Sequence, residues 1–304
     1  MRELVGKLLA LAVILALGAL SQRRLRLPES FYQSANDLVI QATLPAMILY
    51  SMDKAFSLEA FWTSAQLLLI AACAFGALIA GLELWRRFSR LPPKELGLYQ
   101  YLILVGNTAF MGYPVIQALY GSGGVFYASV FNLVHNVVTF SYGVALFQRG
   151  APVQWKKLLG NTCLLSTLAG ILLFLSPFRL PGPLRQALEW VGNITVPLCL
   201  LSVGARMAGQ SWGSLFQPKR VVWLSLVRTV LFPLLLAPVL RAAGCSGMAL
   251  AVPVVLFATP VSLTAGAFAG RYGADAALAG RTVVVSNFIS IATLPMLSAI
   301  LPAL

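Results

Sequence analysis

Long apolar stretches alternate with short polar clusters along this chain. LLALAVILALGAL (8–20) and AQLLLIAACAFGALIA (65–80) are typical of the stretches, and Arg23-Arg24-Leu25-Arg26 and Arg86-Arg87 of the clusters. An apolar run of about 20 residues is the length of helix that crosses about 30 Å of hydrocarbon. The runs predict ten membrane-spanning helices, at 4–22, 31–52, 60–83, 97–120, 123–147, 157–176, 184–206, 219–240, 246–270 and 276–303. Two of the ten are broken by polar and helix-weakening residues. The fourth carries Gly106-Asn107-Thr108 and Gly112-Tyr113-Pro114, and the ninth carries Thr259-Pro260-Val261-Ser262 and Thr264. Proline removes a backbone donor and clashes with the preceding turn. Broken backbone at mid-membrane depth is tolerated only where protein or a wet cavity surrounds it.

Composition supports a polytopic membrane protein. The 304 residues are 59% hydrophobic and only 10% charged, against about 25% charged in soluble domains. The net charge of +13 would suggest nucleic acid in a soluble protein, but here the basic residues gather in one set of loops. Arg23, Arg24, Arg26, Arg86, Arg87, Arg90, Lys94, Arg149, Lys156, Lys157, Arg206, Lys219, Arg220 and Arg271 fall in or beside the odd-numbered loops. The other side has Arg2, Lys7, Lys54, Arg179, Arg185 and Arg241. The positive-inside rule puts the odd loops in the cytoplasm and both termini on the non-cytoplasmic side of the cell membrane. The basic cluster at 23–26 marks the first apolar run as a membrane helix rather than a cleaved leader.

Sliding the chain by 152 positions lays Thr43-Leu44-Pro45 on Thr195-Val196-Pro197 and Tyr120-Gly121 on Tyr272-Gly273. It also lays Asp37 on Glu189 and His135 on Asn287. The offset predicts two repeats, 1–150 and 151–304, of five helices each. An odd number of helices inverts the second repeat, as in many secondary transporters. Asn107 then aligns with Thr259, Thr108 with Pro260 and Pro114 with Gly266. The fourth and ninth helices are expected to cross, broken, with the starts of their second halves facing each other. Helix starts present unpaired N–H groups and partial positive charge, which suit an anion. Pro114 suits the first position of such a half-helix. The candidate binding residues are Asn107, Thr108, Gly112, Pro114, Thr259, Pro260, Ser262 and Thr264, with Asn132, Asn136 and Asn287 in equivalent regions of the repeat.

Arg228 lies deep in the eighth helix without an acidic partner at matching depth, so it is a further candidate, either for attracting the anion or for pairing within its own helix bundle. His135, the single histidine, is a proton-coupling candidate, against the commoner role of a packed histidine bonded to a neighbouring helix. Asp37 and Glu189 are expected to cap the starts of the second and seventh helices. The four cysteines form no metal-binding spacing. Gly121-Ser122-Gly123-Gly124 is expected to be a tight turn, since it lacks the lysine of a phosphate loop. No catalytic motif is present, so no enzyme, cofactor or metal is expected.

NDLVIQATLPAMIL (36–49), GNTAFMGYPVIQALYG (106–121), FNLVHNVVTFSYGVALF (131–147) and NITVPLCLLSVGARM (193–207) together resemble the auxin efflux carrier family, which includes plant auxin exporters and bacterial malate- and malonate-type permeases. The resemblance covers nearly the whole chain. It implies an all-α fold of ten helices, with helices 1, 2, 6 and 7 as scaffold. Helices 3–5 and 8–10 would carry an organic anion across, elevator-fashion. It places substrate at Asn107 and Pro114. Thr259-Pro260 stands where the plant carriers have Asn, and the long cytoplasmic loop of those carriers is replaced by the short segment 148–156. The expected activity is carriage of small organic anions such as carboxylates, by efflux or exchange. A sodium-coupled symporter of the bile-acid type and a non-transporting membrane sensor are the alternatives. Proton or sodium coupling and a homodimer stay open.

Overall fold

A computed structural model describes residues 2–148, 154–208 and 216–300. Arg149 and the end of the tenth expected span lie outside them. The described chain is helical, and its single strand-like feature among those residues is an isolated antiparallel bridge between Gly106 and Val261. The helices are α1 (Arg2–Leu25), α2 (Glu29–Leu38), α3 (Leu44–Met52), α4 (Leu58–Phe88), α5 (Pro93–Leu104), α6 (Tyr113–Val138), α7 (Trp155–Leu159), α8 (Thr162–Leu175), α9 (Gly182–Asn193), α10 (Thr195–Ala208), α11 (Lys219–Leu226), α12 (Phe232–Ala242), α13 (Gly247–Phe257), α14 (Thr264–Arg271) and α15 (Ala276–Ile300). Wide π-turns join α2 to α3 (Val39–Thr43), lead into α6 (Thr108–Gly112), follow it (Thr139–Gly143) and join α11 to α12 (Val227–Leu231).

Among the described residues, four helical stretches are long and apolar enough to cross a membrane: Leu58–Phe88, Gly182–Ala208, Lys219–Ala242 and Ala276–Leu294. Large apolar side chains such as Leu69, Trp62, Trp190, Leu172, Trp223 and Leu235 lie exposed on the helices. Such a surface is unfavourable in water and suits lipid.

The chain forms two compact units. The first comprises Met1–Gln66, Ala109–Leu133 and Leu159–Gln210. Its main seam is α1 against α10. Gly18 faces the Leu201 backbone and Gly204 faces the Leu15 backbone so closely that any β-carbon would collide with it. Small residues let membrane helices approach at backbone distance and gain dispersion contact. α3 packs on α8 and α9, and the Thr162 hydroxyl donates to the Ile40 carbonyl at 2.6 Å. At one end, the buried Asp53 pairs with Arg185 at 3.3 Å and accepts the Leu180 N–H at 3.3 Å. The neighbouring Lys54 ammonium sits 3.6 Å from the centre of the Phe126 ring, and burial pushes its pKa below the ordinary lysine value.

The second unit comprises Leu67–Thr108, Val134–Leu158 and Ser211–Leu304. Here α11 and α14 pack on α15, and α12 packs on α13. Phe257 is its aromatic centre, with ring centroids 4.7 Å from both Phe75 and Phe232. At one end Arg220 pairs with Glu95 and donates to the Tyr99 hydroxyl at 2.9 Å.

Two expectations about helix starts are corrected. Asp37 lies in the last turn of α2 (Glu29–Leu38) and Glu189 well inside α9 (Gly182–Asn193). Neither acid caps a helix start. Pro114 is the second residue of α6, and the π-turn Thr108–Gly112 precedes it. The half-helix therefore begins before Pro114, in a widened turn with room for a residue that donates no hydrogen bond. At the expected tight turn, α6 bends at Gly121, whose φ of 64° suits glycine.

Candidate functional site

Two interruptions meet in the second unit. α5 ends at Leu104 and its chain turns extended at Val105 (φ −102°, ψ 111°). α13 ends at Phe257, and the chain stays non-helical until α14 begins at Thr264. The two breaks are stitched together by backbone. The Asn107 N–H donates to the Pro260 carbonyl at 2.7 Å, and the Ser262 N–H to the Val105 carbonyl at 3.1 Å. These bonds flank the Gly106–Val261 bridge and satisfy backbone groups that neither broken helix can satisfy alone.

Side chains complete the stitching. The Val261 N–H donates to the Ser286 hydroxyl of α15 at 3.0 Å. Thr264 pairs through its hydroxyl with Tyr101 at 2.8 Å and with Ser262 at 2.8 Å. The Thr264 N–H also donates to the Ser262 hydroxyl at 3.3 Å. The Thr259 hydroxyl donates to the Leu256 carbonyl at 2.6 Å. Asn107, Thr108, Thr259, Pro260 and Ser262 are buried, whereas Thr264 is exposed. Polar side chains are thus gathered inside an otherwise apolar bundle.

Arg228 stands on the π-turn between α11 and α12, is bonded to both breaks, and is 1% exposed. Its Nη1 donates to the Ile103 and Leu104 carbonyls at 3.1 and 3.0 Å. Nε donates to the Thr259 carbonyl at 3.3 Å, and Nη2 to the Leu256 carbonyl at 3.4 Å. The guanidinium carbon is 5.6 Å from the centre of the Phe257 ring, within range of a cation–π contact. A β-carbon at Gly106 would collide with this guanidinium.

A model of the membrane transport protein family, the auxin efflux carriers, matches residues 4–298. The chain belongs to this family. It is 23% identical to an uncharacterized transporter of Methanothermobacter thermautotrophicus over 303 residues, covering 96% of this chain and 97% of that protein. It is 22% identical to a putative malonate transporter of Rhizobium meliloti over 307 residues, covering 96% and 94%. An uncharacterized transporter of Methanocaldococcus jannaschii is 25% identical over 202 residues, covering 62% of this chain and 65% of that one. The chain is therefore a member of a multi-pass membrane transporter family.

The remaining candidates of this carrier-family chain divide between the units. His135 is buried in the second unit, with the Gly106 backbone as its polar neighbour and its ring centroid 5.8 Å from that of Phe75. Asn136 is half-buried one residue further on. Asn287 is buried on α15, next to Ser286, and donates to the Val283 carbonyl at 2.7 Å. Gly112, Pro114 and Asn132 belong to the first unit and are buried there. The Asn132 side chain and Ser129 face the Tyr113 hydroxyl. Sequence reasoning missed Tyr101 and the pinning role of Ser286. The signal for Tyr101 was present: a buried tyrosine needs a partner for its hydroxyl, and Tyr101 lies one turn before the break.

Proposed function

We propose that this protein is a secondary carrier of small organic anions, with carboxylates as the substrate class. Asn107 and Thr108 on one break and Thr259, Pro260, Ser262 and Thr264 on the other form the binding surface. The observation that carries this reading is the pair of helix breaks stitched at Gly106 and Val261, with buried polar side chains on both sides. Preserving two breaks and burying their polar groups is costly in a membrane. A binding role offsets that cost, because helix starts and hydroxyls at mid-membrane bind carboxylates in carriers built this way. The relative named as a putative malonate transporter makes a short dicarboxylate the first substrate to test.

Two inverted five-helix repeats give the paired breaks a common origin in this reading. Alternating access comes from the bundle of expected spans 3–5 and 8–10 moving against expected spans 1, 2, 6 and 7. The test is malonate and malate flux into proteoliposomes. Asn107→Ala and Thr259→Ala are expected to lower flux while leaving the folded yield unchanged. Full flux of every accepted carboxylate in both variants would remove the site from these residues, and absence of any flux would favour a sensor.

A further inference from the structure

α5 and α13 end beside each other in the second unit, and helix ends leave carbonyl groups without intrahelical partners. Those ends also carry partial negative charge. In α5 the Tyr101 carbonyl accepts the Val105 N–H, but Ile103 and Leu104 lie beyond the reach of the helix's own donors. Arg228 Nη1 bonds both of them, while Nη2 and Nε bond the Leu256 and Thr259 carbonyls of the other break. One guanidinium thus joins four carbonyl oxygens from two helix ends, and its aromatic neighbour is Phe257. No carboxylate of the chain pairs with it among the described residues.

Carbonyl oxygens from half-helix ends are the ligands with which carriers of broken-helix design hold a coupling cation. A cation placed among them neutralises both helix ends and fixes the breaks at a set separation. We propose that Arg228 is that cation, supplied permanently by the protein: a positioning residue that occupies the coupling-ion position of the crossing. The anion site then works without sodium, and Arg228 acts on the anion through the breaks it holds. Gly106 serves the same arrangement, since any side chain there would displace the guanidinium. This inference rests on the crossing being the anion site, but it makes a claim about cations that the substrate assignment does not.

The wild-type protein and the variants Arg228→Ala and Arg228→Lys are purified. Melting temperature is measured in sodium, potassium and choline chloride at equal ionic strength, with and without added guanidinium chloride at millimolar concentration. Malonate flux is measured in the same cations. For the wild type, melting temperature and flux are expected to be the same in all three salts. Arg228→Ala is expected to melt lower, to lose flux, and to regain part of both with guanidinium. Arg228→Lys, which restores the charge as a single point, is expected to fall between the two. A wild-type protein stabilised by sodium over choline, or flux that requires sodium, would overturn the proposal. So would an Arg228→Ala variant with wild-type melting and flux. If that variant does not fold, the cation comparison on the wild type decides alone. Absence of malonate flux under every cation would count against the carrier reading, and the melting temperatures would still judge Arg228.

Discussion

The two units of this protein bury polar groups in different ways. In the first, α1 and α10 meet backbone to backbone through Gly18 and Gly204, and its charged pair, Asp53 with Arg185, stands at the end of α3 where the chain leaves the helix. In the second, two helices stop in mid-course. Their loose backbone ends are bound by one another, by Ser286, and by a guanidinium buried among them. Close-packed helices of the first kind tolerate no change of volume and have no chemistry to offer. Broken helices of the second kind collect donors and acceptors at one place, which is the requirement for recognising a charged solute. Stability is therefore expected to be most sensitive in the first unit and substrate recognition in the second.

The largest effect expected from a single substitution is at the close seam. Gly204→Val places a branched side chain against the Leu15 backbone. Overpacking costs about 1–3 kcal/mol, and more where backbone cannot shift, so the variant should show a sharply lower melting temperature and little folded protein. If it melts like the wild type, the seam has room for a side chain and is not packed at backbone distance. Ser286→Ala comes next. It leaves the buried Val261 N–H without its acceptor, at a cost of about 1–3 kcal/mol, and lets the second break shift. The Michaelis constant for malonate should rise in addition to the fall in melting temperature. A purely thermal effect would mean that the break does not shape the site.

Lys54→Gln tests the first unit away from its seam. The ammonium over Phe126 contributes about 0.5–2 kcal/mol, so the variant should melt somewhat lower with an unchanged Michaelis constant. The smallest effect belongs to Tyr101→Phe. Losing the hydroxyl that pairs with Thr264 costs about 0.6 kcal/mol, the average for hydrogen bonds between membrane helices. Its stability should be near that of the wild type, while release of Thr264 should alter the preference between malonate and longer dicarboxylates. Unaltered preference would take Thr264 out of the recognition surface.

The helical class and the location of both interruptions were legible in the chain, because Gly, Pro and hydroxyl residues at mid-span contradict the apolar pattern around them. Asn107 and Thr259 were legible for the same reason, as the polar members of the two breaks. The partners of Arg228 were not. Sequence shows that a charge is deep, but its carbonyl partners at 103, 104, 256 and 259 come from two distant segments and depend on the crossing. The π-turns were not legible either, since a widened turn leaves no composition signal at Thr108–Gly112. For the same reason the start of the half-helix was placed at Pro114, one turn late. Asp37 and Glu189 lie more than one turn past both the expected starts, 31 and 184, and the observed ones, Glu29 and Gly182, so an acid near a helix start is no cap unless it falls in the first turn.

If the stitched breaks of the second unit are where a small organic anion is recognised, transport depends on their side chains and not on the seam of the first unit. That dependence is tested most directly by malonate flux in proteoliposomes holding the wild type, Asn107→Ala or Gly204→Ala, each normalised to folded protein. Flux per folded molecule is expected to fall steeply for Asn107→Ala and to be retained for whatever Gly204→Ala protein folds. Equal flux per folded molecule in the wild type and Asn107→Ala would contradict it.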